Sequence, residues 1–164
     1  MLERFAATDD AVIAERTAKA CLLMRAGPLE LNQACQLAER AVEMAYPELV
    51  KHAELARGLA EYRRGRLAES IRWMDRSLAW ESRRWSIEVP AHLVQAMAHL
   101  RLANITAARA ARAKAAAVAK EQMPKIGRDA VGPEWHEWAI CTVLQREADA
   151  LFLDLDFPVD PFGR

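Results

Sequence analysis

His92 and His99, seven residues apart, and the His136-Glu137 pair are the positions in this 164-residue sequence that come nearest to a metal or acid–base constellation. A helical zinc site sets two histidines one turn apart and adds a third ligand. His92 and His99 stand two turns apart with no third group specified beside them, and His136-Glu137 has no second histidine one turn on. The sequence has no Gly-rich phosphate loop and no Gly-x-Ser-x-Gly elbow. Asp156-Phe157-Pro158 puts a proline where a kinase Asp-Phe-Gly needs glycine. No catalytic residue, metal or cofactor is therefore expected, and the chain reads as a non-enzyme.

Binding is the remaining class of chemistry. Lys+Arg and Asp+Glu balance at 23 each, but unevenly: positions 51 to 128 hold 16 basic against 7 acidic residues, so the middle is basic and the ends acidic. Arg109, Arg112, Lys114 and Lys120 could meet phosphates, yet no aromatic residue accompanies them to stack on bases, which argues against nucleic acid as the partner. Trp73, Trp80, Trp85, Trp135 and Trp138 are candidate interface anchors, although tryptophan serves equally in cores and caps. Cys21, Cys35 and Cys141 are odd in number and widely spaced, which suits reduced core residues rather than a disulfide or zinc framework. No apolar run is long enough to span a membrane, and Met1 to Phe5 lacks a secretory apolar core, so a cytoplasmic chain with no membrane contact is expected.

These residues are positioned by helices. Thr8-Asp9-Asp10 offers N-terminal caps to a first helix striped by Ile13, Thr17, Ala20 and Met24, and Gly27-Pro28 ends it. Leu31, Ala34, Ala38, Ala41 and Ala45 stripe a second. Pro47 opens a third with Leu55, Leu59 and Tyr62, broken at Gly65, and Leu67, Ile71, Met74 and Leu78 form a fourth. A connection over 81–89 leads to a helix opened by Pro90 with Leu93, Met97 and Leu100, then to an Ala-rich helix ending near Pro124. Small residues recur at one slot (Ala34, Ser70, Ala108) and again seven later (Ala41, Ser77, Ala115), at intervals of 36 and 38 residues. Such a recurrence marks stacked helix pairs, each burying on its neighbour a face it cannot bury alone. The expected architecture is all-α: helix pairs over about 9–46, 47–80 and 90–123, a capping helix over 133–153 with Ile140, Leu144, Ala148 and Leu151 inward, and an acidic, aromatic tail over 154–164.

The segments GLAEYRRGRLAES and MAHLRLANITAARA resemble the tetratricopeptide repeat family, whose period is about 34 residues. AERTAKACLL, LAEYRRGRLAES and DFPVDPF are in addition similar to the C-terminal repeat regions behind serine/threonine protein-kinase domains of planctomycete-type bacteria. The resemblance implies a right-handed superhelix of three helix-turn-helix repeats plus a cap. It also implies a protein-interaction role without catalysis, as part of a larger signalling protein. In that family the first helix of a repeat carries large residues at its fourth and eleventh positions, where this chain has Glu54 and Glu61. Leu55, Leu59 and Tyr62, with Leu93, Met97 and Leu100, instead occupy slots that face the concave groove, with Arg63 and Arg101 at its edge. Either the helices are rotated, or the groove is apolar and needs a cover. The lysine, asparagine and arginine of a chaperone-tail clamp have no counterpart there.

The expected function is a non-catalytic module that takes a peptide or partner protein, acidic in character, on the groove formed by those eight residues. Part of that surface is expected to be covered by the chain's own Phe/Asp-rich tail. A rigid spacer or homo-oligomerisation scaffold is the alternative, and nucleic-acid binding through the basic middle is a third reading.

Overall fold

The computed structural model describes residues 2–24, 27–81, 84–125, 132 and 135–156, and every regular element among them is a helix. After the single turn α1 (Leu2–Phe5), α2 (Ala11–Leu22) starts where the Asp10 carboxylate accepts the N–H groups of Val12 and Ile13 at 2.8 and 3.0 Å. In α3 (Pro28–Glu43) proline takes the first position, and the Glu30 carboxylate accepts the Gly27 N–H at 2.9 Å. The following pair is α4 (Val50–Arg63) and α5 (Leu67–Leu78). Gly65 joins them at φ +77°, which lets the Arg66 N–H turn back to Glu61 O at 2.9 Å. The same closure joins α6 (Trp85–Arg101) to α7 (Ile105–Gln122), with Asn104 N–H on His99 O at 2.9 Å. There the left-handed position is held by Ala103 at φ +59°. The chain is completed by α8 (Trp135–Asp156).

Helices adjacent in sequence pack as the pairs α2/α3, α4/α5 and α6/α7, and each pair lies on the next through α3 on α4 and α5 on α6. The recurring small residues sit at these contacts: Ala34, Ala41, Ser70, Ala108 and Ala115 are fully buried and Ser77 nearly so. Serine adds a bond that alanine cannot, since Ser70 Oγ donates to Gly58 O at 2.8 Å and Ser77 Oγ to Lys51 O at 2.7 Å. Gly58 completes the close approach, because a Cβ there would stand 2.7 Å from Met74 Cε. On the outer side of α7 the positions matching Ile71 and Leu78, 38 residues on, are Arg109 and Ala116, both exposed. The apolar face that α5 offers to α6 is thus not repeated there.

Several sequence expectations change. α6 begins at Trp85, not Pro90: Arg84 O accepts the N–H groups of Ile87 and Glu88, and Trp85, Ile87 and Val89 are buried. Pro90 therefore lies within the helix, forgoing one ladder bond in a segment held by burial. α4 begins at Val50 after a turn from Tyr46, and α8 continues to Asp156, beyond the expected 153. α2 buries Ala11, Ala14, Ala18 and Leu22, whereas the expected stripe leaves Ile13 and Met24 exposed.

Candidate functional site

The eight expected groove residues do not form an open surface. Leu55, Leu59, Tyr62, Leu93 and Met97 are all at most 3 % exposed, within one core that also contains Ile140, Cys141, Leu144 and Ala148 of α8. Leu100 is half-buried beside Phe152, which is itself buried. The correction has a physical reason: α8 packs on α6 along its length and supplies the apolar cover that the pattern required. Arg63 is drawn into this arrangement, donating from Nε to Leu22 O at 2.7 Å and holding the Glu147 carboxylate with both terminal nitrogens. Arg101, its counterpart one pair later, donates to Tyr62 O at 3.4 Å and remains exposed. Each arginine thus satisfies a carbonyl at the C-terminal end of the preceding pair's first helix, where cations are favoured.

Glu54 and Glu61 are buried beneath the opposite face. Glu54 accepts from Arg76 Nε and Trp80 Nε1, both at 2.9 Å. Glu61 meets Arg57 at 2.7 Å and also pairs with Arg66. Trp73 lies between Arg57 and Arg76, whose guanidinium carbons stand 5.9 and 4.3 Å from its ring centre. The two buried glutamates at these slots are thus compensated by charge, and cation–π contacts lie beside them.

A charged group that sequence reasoning missed sits where α2 meets α8. Lys19 is 1 % exposed; its Nζ lies 2.8 Å from Glu15 Oε1 and 3.0 Å from Glu137 Oε1. Burial is the largest influence on both Lys19 and Glu15. For Lys19 the two carboxylates outweigh it and raise the pKa, whereas Glu15 remains raised by burial despite Lys19. His52, beside them, is pushed down to about 4 by burial and then by Lys19, and the Cys141 thiol is pushed up to about 12 by burial and Glu137. Glu15 and Lys19 read in sequence as an ordinary i,i+4 surface pair, and nothing local signals that both are buried. His136-Glu137, which failed as a metal motif, contributes Glu137 to this link instead. Among the described residues no group of three or more His, Cys, Asp or Glu is placed to hold a metal.

Two clefts flank α8. One, about 880 Å³, runs between α2 and α8 and is walled by Ala20, Leu23, Met24, Trp135, Ala139 and Val143. Met24 and Trp135 are 73 % and 63 % exposed, and Arg16 and His136 stand on its rim. Of the stripe expected for this helix, Ala20 and Met24 line the cleft together with the buried Thr17. The other cleft, about 810 Å³, lies where α2, α4 and α6 end and includes Tyr62, Arg63, Arg101, Leu31 and Leu151. Trp138, by contrast, is half-buried and donates to Pro124 O at 3.2 Å. The tail from 157 onward lies outside the described residues, as do the side chains of 154–156. No helix among the described residues is long and apolar enough to cross a membrane. Compared with known proteins, the chain matches no family model, no curated protein and no solved structure.

Proposed function

We propose that this chain is a non-catalytic interaction module of tetratricopeptide type, working in the cytoplasm as part of a larger signalling protein related to the repeat regions behind bacterial protein kinases. It takes a peptide or helix of a partner protein, and its own acidic, aromatic tail competes for part of the surface. The observation that carries this reading is the apolar cleft between α2 and α8, where Met24, Trp135 and Val143 remain exposed although α8 has covered the rest of the apolar face. An exposed aromatic flanked by aliphatic side chains is the usual anchor of an interface. Arg16 and His136 on the rim favour a ligand with carboxylates.

The test compares the wild-type chain with Trp135→Asp and Arg16→Glu variants of unchanged thermal stability. Affinity capture with quantitative mass spectrometry is run alongside sedimentation velocity over a wide concentration range. A partner retained by the wild type and lost by both variants, with the chain monomeric throughout, supports the module. Concentration-dependent self-association abolished by the same variants would establish the oligomerisation scaffold in its place, and no difference in either measurement removes the cleft as an interface.

A further inference from the structure

Arg101 differs from Arg63 in what it has left to bind. Arg63 is committed to Leu22 O and to Glu147. Arg101 has a long bond to Tyr62 O, the face of the Tyr62 ring 5.1 Å from its guanidinium carbon and a side-chain bond with the Tyr62 phenol, and among the described residues no carboxylate pairs with it. Its exposed cation stands at one edge of the 810 Å³ cleft at the helix ends, whose other walls include Met24, Leu31, Ala150 and Leu151. The one carboxylate in the lining, Glu147, is held by Arg63, so the apolar walls and an arginine with no carboxylate partner are complementary to a segment that combines large apolar side chains with a single carboxylate.

The chain itself carries such a segment immediately after α8. Residues 157–162 read Phe-Pro-Val-Asp-Pro-Phe, with two aromatic side chains around one carboxylate. The two prolines remove backbone donors and favour an extended form, so little ordering entropy is lost on docking. Reach back to the Leu151 wall is within the length of the segment. Leu151 in the cleft wall is five residues before the last residue of α8, roughly 7.5 Å along the axis, and the four residues to Asp160 span up to roughly 13 Å when extended. Attachment to the same polypeptide supplies an effective concentration in the millimolar range, on the order of that for a short linker.

We propose that residues 157–162 dock in this cleft of their own chain, with the Asp160 carboxylate on the Arg101 guanidinium and Phe162 against the Leu31 and Leu151 wall. The segment is then a built-in ligand, and an external partner of the same chemistry binds only by displacing it. This deepens the interaction reading by assigning a second surface and its occupant, and it stands whether or not the α2/α8 cleft has a ligand, since neither Trp135 nor Arg16 lines the helix-end cleft.

The test uses the full chain and a native reporter, because Cys21 lines the same cleft and is only partly buried. Val159→Cys is introduced, and diamide is added at alkaline pH to offset the burial that raises the Cys21 pKa. The expected result is an intramolecular disulfide between Cys21 and the new thiol, mapped by peptide mass, whose rate is independent of protein concentration. Adding Arg101→Glu slows it roughly tenfold, and adding Asp160→Arg to that variant restores it. Circular dichroism melts confirm that each variant is folded. No disulfide, or a rate unchanged by Arg101→Glu, overturns the proposal. A disulfide formed only between two chains, at a rate that rises with concentration, overturns it in favour of a second copy as the occupant.

Discussion

Lys19 of α2 and Glu137 of α8 form an ion pair at 3.0 Å across 118 positions of sequence, and Glu15 closes the group at 2.8 Å from the same ammonium. The first helix pair is thereby tied to the helix that covers the apolar face. Both carboxylates are buried, and Lys19 is the strongest favourable influence on Glu15 and lies 3.0 Å from Glu137. Lys19→Ala is expected to cost about 3–5 kcal/mol, since it leaves two buried acids without a cation. The triple variant Lys19→Met, Glu15→Gln, Glu137→Gln is expected to recover most of that loss. Urea unfolding of the three proteins decides it; a loss below about 1 kcal/mol in Lys19→Ala would show that the group is effectively solvated.

Gly58→Ala tests the closest helix approach. Alanine gains about 1 kcal/mol of helix propensity, but its Cβ would meet Met74 Cε at 2.7 Å and Trp73 Cβ at 3.2 Å. Overpacking of about 1–3 kcal/mol outweighs the gain, so the variant is expected to be less stable. In a Met74→Ala background the same change should stabilise. A thermal-denaturation double-mutant cycle reads this reversal of sign.

Ala103 and Gly65 occupy equivalent left-handed positions at the turns of successive pairs, with φ +59° and +77°. Only glycine adopts that conformation without steric cost. Ala103→Gly is expected to raise stability by about 1 kcal/mol and Gly65→Ala to lower it by a similar amount. Opposite displacements of the chemical-denaturation midpoint check the pair, with the m-value unchanged.

His52 sets a pH dependence whose sign follows from its depressed pKa. Between the unperturbed 6.5 and the folded value of about 4 the unfolded chain binds a proton that the native imidazole refuses, so stability falls as pH drops through that window. Allowing for partial exposure, the loss is about 2 kcal/mol. Glu15 opposes it: its raised pKa contributes stability that is present at low pH and lost as pH rises through the folded value. His52→Gln is expected to be less sensitive to acid than the wild type between pH 7 and 4, and parallel stability profiles for the two proteins would contradict the assignment.

Much of the helix pairing is legible in the sequence. Ala34, Ser70 and Ala108, and the set seven positions later, announce close helix contacts because side-chain size at an interface is a property of single positions, and all six are buried as that reading requires. Helix starts are less legible. Pro90 looks like a first-turn residue, and only the burial of Trp85, Ile87 and Val89 explains why the helix begins before it. α2 carries two overlapping stripes, Ala11/Ala14/Ala18/Leu22 and Ile13/Thr17/Ala20/Met24, and hydrophobic periodicity cannot rank them when one helix has neighbours on both sides.

The candidate site shows the same division. Periodicity alone determined that Leu55, Leu59, Tyr62, Leu93 and Met97 share an apolar character that water could not be left to cover, because alternation along a helix is local. Tertiary structure alone decided that α8 covers them, that Arg63 is committed to Glu147, and that Arg101 is left exposed. Those outcomes depend on which distant side chains arrive within a few ångströms of one another. Burial and ion pairing are settled by that meeting in space, not by the identity of either residue on its own.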